Sequence, residues 1–90
     1  MTKYRIVDIV SRTERKTRTD KFYPRWIGAV VEIPCELHVG DRALFRYIED
    51  KNGEDGGGNI RTSTITAISE DDTELVVTTL NSVYCMEKVV

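Results

Sequence analysis

The sequence predicts an all-β fold, a small antiparallel barrel of five to six strands making up one domain. Three observations carry that expectation. The C-terminal thirty residues, RTSTITAISEDDTELVVTTLNSVYCMEKVV from Arg61 to Val90, are rich in the branched and aromatic side chains that fit a pleated, half-buried surface. Polar clusters suited to tight turns interrupt them at Glu70-Asp71-Asp72-Thr73 and at Asn81-Ser82. No stretch keeps a helical period for longer than a turn. A three-stranded meander buries its apolar face only when further strands close over it, so the N-terminal half is expected to supply them.

Taken in order, Tyr4 to Ser11 (YRIVDIVS) reads as the first strand. Arg12 to Arg25 (RTERKTRTDKFYPR) follows as a polar, basic connection without helical periodicity, and Pro24 discourages a central strand there. Loops of about 12 or more residues are uncommon in small domains and are often functional. This segment is therefore the leading candidate for a binding element. Ala29 to Ile33 (AVVEI) is a second strand stopped by Pro34. A Gly40-Asp41 turn leads into Arg42 to Glu49 (RALFRYIE), which sets Ala43, Phe45 and Tyr47 on one face and Leu44 and Ile48 on the other. Asp50 to Asn59 (DKNGEDGGGN) is a mobile hairpin tip with Asn52-Gly53 as its turn nucleus.

Three strands remain, around Ile65 to Ile68, Leu75 to Leu80 and Val83 to Met86. Two isoleucines three apart in a strand, Ile65 and Ile68, predict a β-bulge or bend. A two-residue Asn81-Ser82 turn would pair Leu80 with Val83 and Val77 with Met86. The larger side chains of Leu75, Val77, Tyr84 and Met86 are expected inward, with Val76, Leu80, Val83 and Cys85 on the opposite face.

Ninety residues hold one core, burying roughly 60–65% of the unfolded surface and giving a net stability of about 5–13 kcal/mol. A hydrophobic content of 40% and a charged content of 31% fit a soluble globular domain. The longest apolar stretch, Ile27 to Val31, is far short of the ~20 residues that span a bilayer. The N-terminal MTKYRIVDIVSR has no signal-peptide core, so a cytoplasmic location away from the membrane is expected. Cys35 and Cys85 are then expected as reduced thiols, Cys85 serving as a small buried hydrophobe. Net charge is −2, unevenly spread: residues 1–26 hold eight Lys/Arg against three Asp/Glu, and residues 27–90 hold five against twelve. Such a bipolar domain can steer a charged partner or associate head to tail. The plainer expectation is two solvated loop clusters at opposite ends of a barrel.

A long first loop, short later hairpins and five to six short strands resemble an SH3-like small barrel. The stretches VGDRALFRY, RTSTITAI and LVVTTLNSVYCMEKV are similar to small uncharacterised bacterial or phage-type domains over roughly residues 37–90. The resemblance implies the barrel and brings no catalytic or binding residues with it.

Function is expected from the basic–aromatic segment. Arg15, Lys16, Arg18, Lys21 and Arg25 alternate with Phe22, Tyr23 and Trp26. Trp, Tyr and Arg are frequent anchors of protein interfaces, which points to another protein as partner, with the three rings as apolar anchors and the five cations giving orientation. The same mixture suits single-stranded nucleic acid, phosphates on cations and bases on rings, although a pI near 5.4 lies far below that of most nucleic-acid binders. Homo-oligomerisation through an exposed strand edge is a further alternative. A purely structural role would have Trp26 and Phe22 cap the barrel while the cations stay solvated.

Other constellations carry less. Cys35 and His38 form a C-x-x-H pair, but a structural zinc site needs four ligands, and no metal is expected. Asp50 to Arg61 departs from a calcium loop at its sixth and twelfth positions, occupied by Asp55 and Arg61. Gly56-Gly57-Gly58 lacks the Lys-Ser/Thr of a phosphate loop. Arg12 to Lys16 has the wrong spacing for the Arg-x-x-x-Arg pair of barrels that bind cyclic dinucleotides. His38 is the single imidazole, and no G-x-S-x-G elbow is present. No cofactor and no enzymatic activity are expected.

Overall fold

Six strands form in the computed structural model, which describes residues 2–89: β1 (Lys3–Ser11), β2 (Val30–Glu32), β3 (Arg42–Glu49), β4 (Asn59–Glu70), β5 (Glu74–Thr79) and β6 (Ser82–Lys88). One helical turn, α1 (Tyr23–Trp26), lies between β1 and β2. Each strand is antiparallel to the next, and β6 returns to pair with β1, closing a barrel in simple chain order. The fold is all-β as expected and consistent with an SH3-like or related small barrel. β2 is shorter than the predicted Ala29 to Ile33, because Gly28 and Ala29 belong to the end of the preceding connection and Pro34 removes a donor just beyond it. β4 is much longer than predicted. It starts at Asn59 and serves two partners in succession, β3 through Thr64 and β5 from Ile65.

The core is made by alternation interrupted by bulges. Tyr4, Ile6 and Ile9 of β1 are buried, and the register against β6 shifts between Ile6 and Asp8. Val7 is the extra residue, which turns it outward and allows two inward isoleucines to stand three apart. The same device recurs in β4, where the register shifts between Ile65 and Ala67, as the Ile65/Ile68 spacing predicts. Phe45 and Tyr84 meet edge to face at 5.6 Å in the middle of the barrel.

The last hairpin corrects one expectation and bears out another. Thr78 pairs with Val83 and Val77 with Tyr84, so four residues, Thr79 to Ser82, separate the last paired residues of β5 and β6 rather than the two residues Asn81-Ser82. Thr79 and Ser82 themselves pair outward with β4 and β1. Thr79 closes the turn: its hydroxyl accepts from the Ser82 amide at 3.2 Å and donates to the Ser82 carbonyl at 3.1 Å. Without glycine, Asn81-Ser82 lacks the left-handed residues that two-residue hairpins favour. The pairing is displaced by an even number of residues, which preserves the faces. Leu75, Val77, Tyr84 and Met86 are therefore inward as expected. Leu80 is not on a strand face at all and is exposed in the loop.

The hairpin turns one residue earlier than the Asn52-Gly53 nucleus predicts: the Gly53 amide bonds to the Asp50 carbonyl at 3.0 Å, which makes Lys51-Asn52 the central pair, and Gly53 follows in the left-handed region at φ 83°. Gly56 lies flat beneath Tyr47, where any Cβ would collide with the ring. Strand alternation gathers the β1–β2 connection, the β3–β4 hairpin and the β5–β6 loop at one end of the barrel. The β2–β3 connection and the β4–β5 turn lie at the other.

Candidate functional site

The β1–β2 connection is anchored along its length. It reverses through a turn in which the Arg15 amide donates to the Ser11 carbonyl at 2.8 Å and the Ser11 amide to Lys16 at 2.9 Å. It then runs back beside β1, with the Arg18 amide on the Ile9 carbonyl at 2.8 Å and the Gly28 amide on Ile6 at 2.7 Å. Thr17 Oγ1 donates to Asp8 Oδ1 at 2.9 Å. The β5–β6 loop joins from the other side, where Arg12 Nη1 donates to the Thr79 carbonyl at 2.9 Å. α1 follows, and Tyr23, Trp26 and Ile27 pack against the buried cluster. Pro24 sits in the first turn of α1, where its missing N–H costs nothing. The expected proline-broken connection thus contains one turn of helix.

The eight candidate residues divide into two groups. Arg18 is architectural: its side chain is 15% exposed, and it pairs with Asp20 through Nε–Oδ1 at 3.0 Å and Nη2–Oδ2 at 2.7 Å. It also donates Nη1 to Ser82 Oγ at 2.9 Å and lies 4.1 Å over the Tyr23 ring. The hydrogen bond to Asp20 holds Arg18 charged above the ordinary guanidinium range, and the same bond holds the exposed Asp20 carboxyl below its usual range. Tyr23 is half-buried beside Tyr84, whose phenol is pushed far up by burial and by the neighbouring Tyr23. Trp26 is half-buried, edge to face with Tyr23 at 5.4 Å. These three side chains hold the segment to the barrel.

The other five face solvent. Arg15, Lys16, Lys21, Phe22 and Arg25 are exposed, and Phe22 is 60% exposed, its ring 6.3 Å from Trp26. Lys16 pairs with Glu14 at 3.4 Å, while Arg15, Lys21 and Arg25 have no carboxylate within 4.0 Å among the described residues. Arg15 and Lys21 are the two described non-glycine residues with left-handed backbone, at φ 57° and 52°. Each such residue costs about 1–2 kcal/mol, and such backbone clusters at functional segments. A polar cleft of about 470 Å³ opens beside them, lined by Thr13, Thr17, Thr19, Arg18, Lys21 and Asn81 among others.

Asp8, Asp20 and Ser82 position this segment; the Asp20 contact with Arg18 is local, whereas those of Asp8 and Ser82 arise only when the connection doubles back on the barrel, so no sequence signal marks them. A second cleft, of about 360 Å³, lies at the opposite end between the β2–β3 connection and the β4–β5 turn.

The remaining motifs are placed as follows. Cys35 and His38 are both exposed, and His38 Nε2 approaches Glu36 at 3.8 Å. Cys85 is a half-buried free thiol whose ionisation burial pushes up. Among the described residues no three His, Cys, Asp or Glu side chains gather as a metal site. Asp50 Oδ1 accepts from the amides of Asn52 and Glu54, and Asp71 Oδ1 from those of Thr73 and Glu74, which hold Asp71 below the usual carboxylate range. Among the described residues no helix is long and apolar enough to cross a membrane. Comparison with protein-family models, curated proteins and solved structures finds no match for the chain.

Proposed function

We propose that this domain is a cytoplasmic, non-enzymatic adaptor module that contacts another protein through residues 12–26, with the Lys21–Arg25 turn as its contact point. The observation that carries the reading is the pairing of Phe22 with its support. A large apolar ring stands 60% exposed between two uncompensated cations, on a turn fixed to the core by Tyr23 and Trp26. An exposed aromatic on an ordered turn loses little freedom on binding, which favours interface anchors of this type. The role of Trp26 in this reading is support, with Phe22 as the anchor and Lys21, Arg25 and Arg15 as orienting charges.

The geometry also weighs the two alternatives. Stacking of bases requires open ring faces. Arg18 lies over one face of Tyr23, which packs T-shaped against the half-buried Trp26, leaving Phe22 as the most freely presented ring of the three. Edge pairing is disfavoured by closure, since every strand has neighbours on both sides over part of its length.

The test is a photo-crosslinking residue at position 22, compared with the same residue at Val39, an exposed apolar position at the other end of the barrel. A discrete protein adduct from position 22 that is absent from position 39, and that disappears when Lys21 and Arg25 are reversed, supports the reading. Equal adducts from both positions, or none from position 22, contradict it. Quenching of Trp26 by an oligo(dT) that fades steeply with salt would move nucleic acid ahead instead.

A further inference from the structure

We infer that this chain associates head to tail, with the Lys21–Arg25 turn of one copy seated in the cleft at the opposite end of the next. The inference rests on the reading above, because it names a second copy of the chain as a partner of that same turn. The receiving cleft, of about 360 Å³, has buried Tyr4 and Leu75 at its floor and half-buried Ile33, Pro34, Leu37 and Ile68 as its walls. Carboxylates stand at its mouth. Glu36 and Glu70 line it, and Glu70 is oriented by a 3.0 Å hydrogen bond from the Tyr4 hydroxyl. The adjoining turn adds Asp71, Asp72 and Glu74. Lys3, Arg42 and Lys88 flank this end, yet none of these five carboxylates has a lysine or arginine within 4.0 Å among the described residues.

The other end of the same molecule offers the complement: an exposed phenylalanine followed by Tyr23-Pro24, between two cations that have no internal partner. Apolar side chain meets apolar walls while Lys21 and Arg25 meet the carboxylates at the mouth. An isologous contact would instead place like charges against each other at either end. Because donor and acceptor lie at opposite ends of the barrel, the contact is heterologous and propagates into rings or open chains.

Sedimentation of the whole chain tests this with a charge swap on exposed residues. The unaltered chain is expected to associate with rising concentration, about tenfold or more weakly at ~0.5 M than at ~0.05 M salt. The K21E/R25E variant and the E36K/D72K variant should each sediment as a monomer, with unfolding midpoints close to that of the unaltered chain. An equimolar mixture of the two should regain association, because both kinds of contact between them are again complementary. A monomer at millimolar concentration and low salt, association that survives either reversal alone, or a mixture that stays monomeric overturns the inference. If the chain is monomeric but position 22 still crosslinks to a different protein, the adaptor reading stands and only this inference falls. If neither is seen, both fall.

Discussion

The two ends of the barrel are built from connections of similar polarity and do opposite things. At one end, residues 12–26 carry six Lys/Arg and two Asp/Glu; at the other, residues 33–41 and 70–74 carry six Asp/Glu and no Lys or Arg. The basic end stands proud, with a helical turn bracing an exposed ring. The acidic end is recessed, with a cleft between its two connections. Even the carboxylates differ in kind. Asp20 is held ionised by a guanidinium, and Asp71 by backbone amides of its own turn. The lesson is that a charge imbalance along a sequence becomes a dipole only when strand alternation sorts the loops. The sorting is incomplete, since the 50–58 hairpin brings Asp50, Glu54 and Asp55 to the basic end.

The largest expected effect removes what both ends share. Phe45 is fully buried against Tyr84, and Phe45→Ala should cost about 3–5 kcal/mol in urea unfolding; a loss below about 1 kcal/mol would mean that the barrel core is packed differently. A smaller contrast separates bracing from presentation at the basic end. Trp26→Ala should cost about 2 kcal/mol, reduced from the full value because the ring is only half-buried, whereas Phe22→Ser should stay within about 0.5 kcal/mol. Equal losses in the two variants would erase the distinction between support and contact.

The smallest effect sharpens the comparison of carboxylates. Both folded-state values are lowered, so each group's stabilisation is present above the unfolded carboxylate value of about 3.9 and is lost as pH falls through the lowered folded value. Salt should separate them. In side-chain NMR titrations, added salt should return Asp20 toward its ordinary value, since a surface ion pair is screened, while Asp71, bonded to amides, should move much less. An identical salt response at both sites would contradict the assignment of causes.

Much of the barrel was legible because period-two alternation and turn chemistry are local. β3 was read to the residue, and the inward face of the last hairpin followed from side-chain size. The turn between β5 and β6 was misread because its closure depends on a threonine hydroxyl two residues before the expected Asn81-Ser82 pair. The bulge at Val7 carries the same three-residue isoleucine spacing, Ile6 to Ile9, that marked the bulge in β4, so that signal was available. The basic–aromatic segment stood out by composition alone. Its division into Arg18, Tyr23 and Trp26 as braces and Phe22, Lys21 and Arg25 as surface was not legible. That division depends on Ser82 and Tyr84 arriving from β6. The acidic cleft was equally hidden, because its walls come from segments more than thirty residues apart.

The most direct measurement is a dilution series of the ¹⁵N-labelled chain followed by amide NMR at low salt. The account predicts that resonances of residues 21–25 and of 35–37 with 70–72 shift together, with one shared concentration dependence, while the core amides of β3 and β6 stay fixed. Shifts confined to one end, shifts centred on a strand edge, or none across the series would contradict the complementarity of the two ends.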